Sequence, residues 1–260
     1  MMRRLAAVVA LLAVAAAGAA LAADDQSGVI VAVDPSAQLI TAGAARKAGV
    51  GDAVPTGSVI QTGPTGRVQA RFPDGTKIVV GPNSTMTIDD TLFAPNGVAQ
   101  SFQVSAIGGA FRFITGASPK KVYKVSTPLA TMGVRGTAFD FAVSGGTATH
   151  LLVYEGSVKF CAQSDRCAIV PGGCHAVSVD RRQDFSQPTS VDEKLRLLGS
   201  VFPLEAAQQR LNPAFRTDVG GCDSAAMIAL PPTASEAARD AERPDHGGSS
   251  AGGRSGNPAE

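Results

Sequence analysis

The 260-residue chain has no tryptophan, two tyrosines, three histidines and four cysteines. With aromatics at 5% of residues it lacks the ring platforms on which sugars stack, which counts against a carbohydrate-binding role. Basic and acidic residues nearly balance, 23 against 22, and this excludes the basic footprint of a nucleic-acid binder. His150, His175 and His246 have no ligand-spaced partner histidine, and no Gly-x-Ser-x-Gly elbow or paired-carboxylate phrase occurs. These absences argue against catalysis, and no catalytic residue, cofactor or metal is expected.

Long apolar runs are absent after the first 23 residues, so no stretch reaches the ~18 residues of a membrane span. Residues 1–23 themselves combine Arg3 and Arg4, an apolar run over residues 5–17, and small residues at Ala20, Ala22 and Ala23. That is the pattern of a cleavable signal peptide, and it predicts a periplasmic or secreted protein. No cysteine follows the small-residue site, which argues against a lipoprotein, and the two arginines lack a twin-arginine context. Removing them leaves 21 basic against 22 acidic residues.

What the chain does contain is turn-rich β sequence, with 29 glycines and 16 prolines. Residues 28–33 read as a strand stopped by Asp34-Pro35, within an N-terminal strand and loop at 24–47, and residues 42–55 read as loop leading into the domain. A hairpin follows, in which Val68, Ala70 and Phe72 point inward and Pro73-Asp74-Gly75 turns the chain back. Gly108-Gly109 reads as a breaker before another strand. Residues 121–160 are the organising stretch, three apolar runs cut by glycine-bearing turns. In residues 137–143, Phe139, Phe141 and Val143 share the core face while Ala138, Asp140 and Ala142 share the other. Gly145-Gly146 supplies the positive φ angles of a tight hairpin. Short strands with turn signals at regular intervals predict an all-β, single antiparallel sandwich or roll over residues 48–180.

After residue 180 the period changes. Ser190 and Glu193 form a capping-box pattern ahead of Leu195 and Leu198, with Gly199 as the stop, and a second helix starts at Pro203 and runs to Leu211. Residues 181–230 are therefore expected as a helical appendage. Residues 231–260, rich in Pro, Ala, Ser and Gly, are expected to be a disordered tail.

Ser126-Thr127-Pro128-Leu129-Ala130-Thr131-Met132-Gly133-Val134-Arg135-Gly136-Thr137 and Val153-Tyr154-Glu155-Gly156-Ser157-Val158 resemble the second half of a FecR domain. Ile60-Gln61-Thr62-Gly63-Pro64, Phe72-Pro73-Asp74-Gly75-Thr76 and Gly81-Pro82-Asn83-Ser84 resemble its first half, in the right order. The resemblance covers roughly residues 48–179 and makes Thr127, Pro128, Gly133, Gly136, Thr137, Glu155 and Gly156 the domain's motif residues. It implies an all-β domain known from the periplasmic parts of membrane regulators that signal iron-siderophore uptake to a sigma factor. This chain departs from those regulators, with a signal peptide where they carry an anti-sigma segment and a membrane span. What the resemblance implies here is a non-enzymatic, exported envelope module that binds a protein partner; the alternative is a carbohydrate- or peptidoglycan-binding module, with a glycan as partner.

Four cysteines in an exported chain favour disulfides, in one of three connectivities. Cys161 with Cys167 is favoured because a hairpin over residues 160–169 brings them together, and Cys174 with Cys222 would tie the helical segment to the β domain. The rival reading is zinc on Cys161, Cys167, Cys174 and His175, whose spacings exceed those of paired structural ligands. Arg135, set between Gly133 and Gly136, is expected to tie loops together through its guanidinium fork; an anion-binding role is the alternative.

Overall fold

The computed structural model describes residues 27–220 and Cys222. The expected signal peptide (1–23) and tail (231–260) lie outside the described residues. β1 (Gly28–Asp34), β2 (Ala37–Thr41), β3 (Ala44–Lys47), β4 (Ala53–Val54) and β5 (Val59–Thr62) precede a hairpin of β6 (Arg67–Arg71) and β7 (Lys77–Val80). β8 (Thr85–Phe93), the long β9 (Ala99–Ile114) and β10 (Tyr123–Ser126) lead to two further long strands, β11 (Ala130–Ser144) and β12 (Ala148–Ala162). β13 (Cys167–Pro171), β14 (His175–Asp180) and β15 (Phe185–Ser186) follow, then α1 (Val191–Val201) and α2 (Pro203–Ala206). The fold is all-β with a short helical C-terminal segment.

All fifteen strands form one hydrogen-bonded network, folded into two layers because β9, β11 and β12 run through both. The first layer reads β3-β2-β5-β8-β9-β10-β11-β12-β13 and the second β4-β1-β6-β7-β9-β11-β12-β14-β15. Pairing is antiparallel throughout, apart from β9 with β10, which run parallel because the 3-10 turn at Lys120–Val122 carries the chain back across the layer. Between the layers lies one core in which Phe102 meets Phe72, Phe93, Phe113 and Tyr123, and Phe111 stacks on Phe141. Val68, Ala70 and Phe72 point into it as the alternation requires.

Several expected boundaries fall elsewhere, each for a physical reason. Residues 28–47 are not a preamble: β1 pairs with β6 and β2 with β5, so they belong to both layers. The expected loop at 42–55 contains β3 and β4, because Ala42 and Gly43 take positive φ and close a two-residue hairpin between β2 and β3. Gly108-Gly109 does not break a strand. Gly109 has φ +101° and lies so close to Ser84 that a Cβ would overlap it, and this lets β9 bend from one layer into the other. α1 runs past Gly199 to Val201 and ends before Pro203, which disfavours helix at the residue ahead of it. The second helix stops at Ala206 and gives way to 3-10 turns at Gln208–Arg210 and Pro213–Phe215.

The face of residues 138, 140 and 142 is also buried, which the sequence alternation left open. The C-terminal segment straps across the second layer, with Leu198 and Phe202 against Ala138, Leu152 and Tyr154, and Leu204, Leu211 and Phe215 against Val79. A disulfide from Cys174 in the β domain to Cys222 closes the strap, and Cys161 is bonded to its register partner Cys167.

The bends of the two central strands meet. Gly136 (φ +64°) and Gly156 (φ +71°) sit where the β11–β12 register shifts, and a Cβ on Gly156 would strike the Gly136 carbonyl oxygen. A side chain there meets both a left-handed backbone and a fixed carbonyl. Gly156→Ala should therefore lose at least ~2 kcal/mol of stability, lowering the thermal midpoint by roughly 4–8 °C for a domain of this size. Differential scanning calorimetry checks this, and an unchanged midpoint would show that the crease is tolerant.

Candidate functional site

Among the motif residues, Gly136, Thr137, Glu155 and Gly156 lie at the crease, whereas Thr127 and Pro128 form the turn into β11. Thr127 is buried; its Oγ1 accepts from Ala130 N (3.0 Å) and lies 2.9 Å from Thr149 Oγ1, which fixes the turn in which Pro128 is exposed. Thr137 N donates to Thr115 Oγ1 (2.9 Å) and its carbonyl accepts from Thr115 N (3.0 Å), joining β11 to the end of β9. Glu155 is exposed opposite Ala138, and Gly133 lies between Lys124 and Lys159. The backbone of Arg135 pairs with Ser157 at the register shift, and its side chain lies outside the described ones.

Among the described residues two arginines are buried, Arg67 and Arg112, and the more deeply buried, Arg112, is one that the sequence reading passed over. It stands in β9 directly opposite Asp140 of β11, on the face under the strap. Nε donates to Asp140 Oδ1 (2.6 Å) and Nη2 to Oδ2 (2.8 Å), a two-pronged pair. Nη2 also donates to the Tyr154 hydroxyl (3.1 Å), which donates to Asp140 Oδ2 (2.8 Å). From the strap, Gln208 Oε1 (2.7 Å) and the Phe215 carbonyl (3.4 Å) accept from Nη1. Burial opposes the guanidinium charge, but the Asp140 carboxylate more than offsets it and the pKa is raised. Burial first, then Asp140, pushes the Tyr154 phenol well above its ordinary value. The signal was present in sequence: one arginine and one aspartate inside otherwise apolar strands, Ala110-Phe111-Arg112-Phe113 and Phe139-Asp140-Phe141. This cluster locks the strap to the sheet and is sealed from solvent.

Two places are open instead. A polar groove between β14 and α1 holds His150, whose Nδ1 lies 2.7 Å from Ser178 Oγ and Nε2 3.1 Å from Ser144 Oγ, with Asp180, Glu193 and Arg196 at its rim. Burial lowers the His150 pKa. His175 Nδ1 lies 2.8 Å from the Gly172 carbonyl oxygen. The second open place is β3, at the free edge of the first layer. All four of its residues are exposed and it pairs with β2 alone. Beside it runs a shallow groove lined by Ser36, Gln38, Lys47, Gln61 and Gly63.

Two β layers sharing three bent strands, strapped by a C-terminal segment and presenting the fully exposed edge strand β3, define a β-sandwich domain. Residues 58–159 match the model of the FecR protein family, and this stretch is a FecR domain. Two crystal structures described as a candidate anti-sigma factor from Parabacteroides distasonis are similar to the chain, each with a TM-score of 0.42, at 15% and 16% identity. They cover 54% and 53% of this chain and 63% and 62% of their own, so the chain spans under two thirds of their length. No curated protein matches the chain. Among the described residues no helix is long and apolar enough to cross a membrane.

The Arg112 cluster and His150 yield opposite kinds of test. Asp140→Ala would strand a buried guanidinium and should cost about 3–5 kcal/mol, whereas Arg112→Met with Asp140→Leu should be more stable than either single variant. Chemical denaturation measures all three. His150, held neutral in the fold, takes up its proton more readily in the unfolded chain. Stability should then decline as pH falls through about 6.5 and level off below the folded value. Melting curves across that range, with His150→Gln showing the flatter profile, are the check.

Proposed function

We propose that this chain is an exported protein of the cell envelope whose FecR domain acts as an interaction module, capturing an extended segment of a protein partner by strand addition. The observation that carries the reading is the free edge of β3. The other edges are blunt: β4 and β15 have two residues each, and β13 ends in Pro171 and is stapled to β12 by Cys161–Cys167. Strand alternation leaves the backbone groups of Ala45 and Lys47 facing outward, because Ala48 N bonds to Ala37 O and the hairpin closes at Thr41 and Ala44. Arg46 is neutralised by Asp52 at 2.5 Å, while Lys47, in no ion pair among the described residues, lies beside the groove and selects a segment with acidic side chains. The paired cysteines support an oxidising compartment, consistent with export.

The experiment places a photo-crosslinking residue at position 45 in envelope preparations and identifies what it captures. One dominant protein product is expected, and Ala45→Pro, which removes an outward N–H that the fold does not use, should abolish it while leaving the thermal midpoint in place. Crosslinking that persists in the proline variant would reject strand addition.

A further inference from the structure

The outer face of the first layer carries a second surface, apart from the β3 edge. Inward positions of β8, β9, β10, β11 and β12 fill the core, and the alternate positions form two cross-strand rows on the open side. One row is neutral and hydroxyl-bearing: Thr87 opposite Ser105, Ser105 opposite Ser126, Ser126 opposite Thr131, all half-buried. The neighbouring row is Gln103, Lys124, Gly133 and Lys159. Lys124 and Lys159 are exposed and stand two strands apart, about 9–10 Å, with Gly133 between them. A Cβ at Gly133 would meet nothing nearer than Lys159 Cβ at 3.8 Å, so the space between the two lysines is unfilled. Lys120 and Lys121, also exposed, flank the same end, Lys120 lying against Gly136. Among the described residues none of these four lysines is in an ion pair. Carboxylates border the patch: Asp89, which accepts from Ser105 Oγ, Asp90 opposite Gln103, and Glu155 opposite Ala138.

We infer that this face binds a carboxylate-bearing glycan strand. Lysines that no carboxylate among the described residues engages in an ion pair call for an anionic ligand, and the adjoining hydroxyl and amide groups match the donor and acceptor pattern of sugar hydroxyls. A protein interface centre is a poor fit, because such centres are depleted in lysine and serine and enriched in aromatics, of which this face has none. An anionic lipid surface would use the charges alone and leave the hydroxyl row without a role. The missing tryptophan excludes stacking recognition only; recognition here is by charge and hydrogen bonds.

The test uses the full mature chain with three probes: polygalacturonate, neutral dextran, and phosphatidylglycerol vesicles, titrated calorimetrically at low and near-physiological salt. Polygalacturonate should bind, more weakly as salt rises, and dextran should not. Lys124→Glu with Lys159→Glu should weaken binding roughly tenfold or more, with the thermal midpoint unchanged because both side chains are exposed. Thr131→Ala should weaken it less while keeping the salt dependence. Ala45→Pro should leave this binding intact, which separates the glycan face from the strand-addition edge. Vesicle binding as strong as polygalacturonate binding, or indifference to the double charge reversal, would overturn the inference.

Discussion

The contact of Gly156 with the carbonyl of Gly136 is the constraint on which the architecture depends. β11 and β12 are long enough to serve two layers only if they bend together, and they can bend together only if no side chain separates them at the crease. Once that pair is bent, β9 must follow, since its second half pairs with β11 and its first half with β10. Gly109 supplies the third bend. The motif by which the domain resembles its family is thus mainly a record of a backbone requirement. Gly136, Thr137 and Gly156 share a neighbourhood because the chain bends there.

The second organising feature is a charge. Asp140 lies on the face opposite the core-facing Phe139 and Phe141, with Arg112 as its register partner, and an exposed ion pair in that position would contribute little. Under the strap the same pair is sealed among buried partners, and it determines where the strap can sit because Gln208 and the Phe215 carbonyl complete the guanidinium's hydrogen bonds. A buried pair of this kind contributes specificity of placement more than net stability.

Much of this was legible in the chain itself. The inward set Val68, Ala70, Phe72, Phe139, Phe141 and Val143 followed from alternation, the Gly145-Gly146 hairpin from turn chemistry, and the cap at Ser190 from the capping pattern, with Ser190 Oγ accepting from Glu193 N. What was not legible depended on distant partners. Whether Gly108-Gly109 stops a strand or bends it is decided by Ser84, 25 residues upstream of Gly109. The burial of Asp140 is decided by residues more than 60 positions downstream in the strap. The paired surface rows on the first layer needed the registers of five strands, which no local pattern encodes.

Sharing three strands between layers also bears on how the molecule comes apart. In a sandwich of two separate sheets, one sheet can loosen while the other persists, giving subglobal openings of distinct free energy. Here β9, β11 and β12 each donate hydrogen bonds to both layers, so neither layer owns a complete set of ladders. Opening one layer unpairs half of each shared strand and frees the crease on which the other depends. The domain is built to exchange its core amides in a single event, with graded protection confined to the short edges β4 and β15 and the hairpin of β2 and β3.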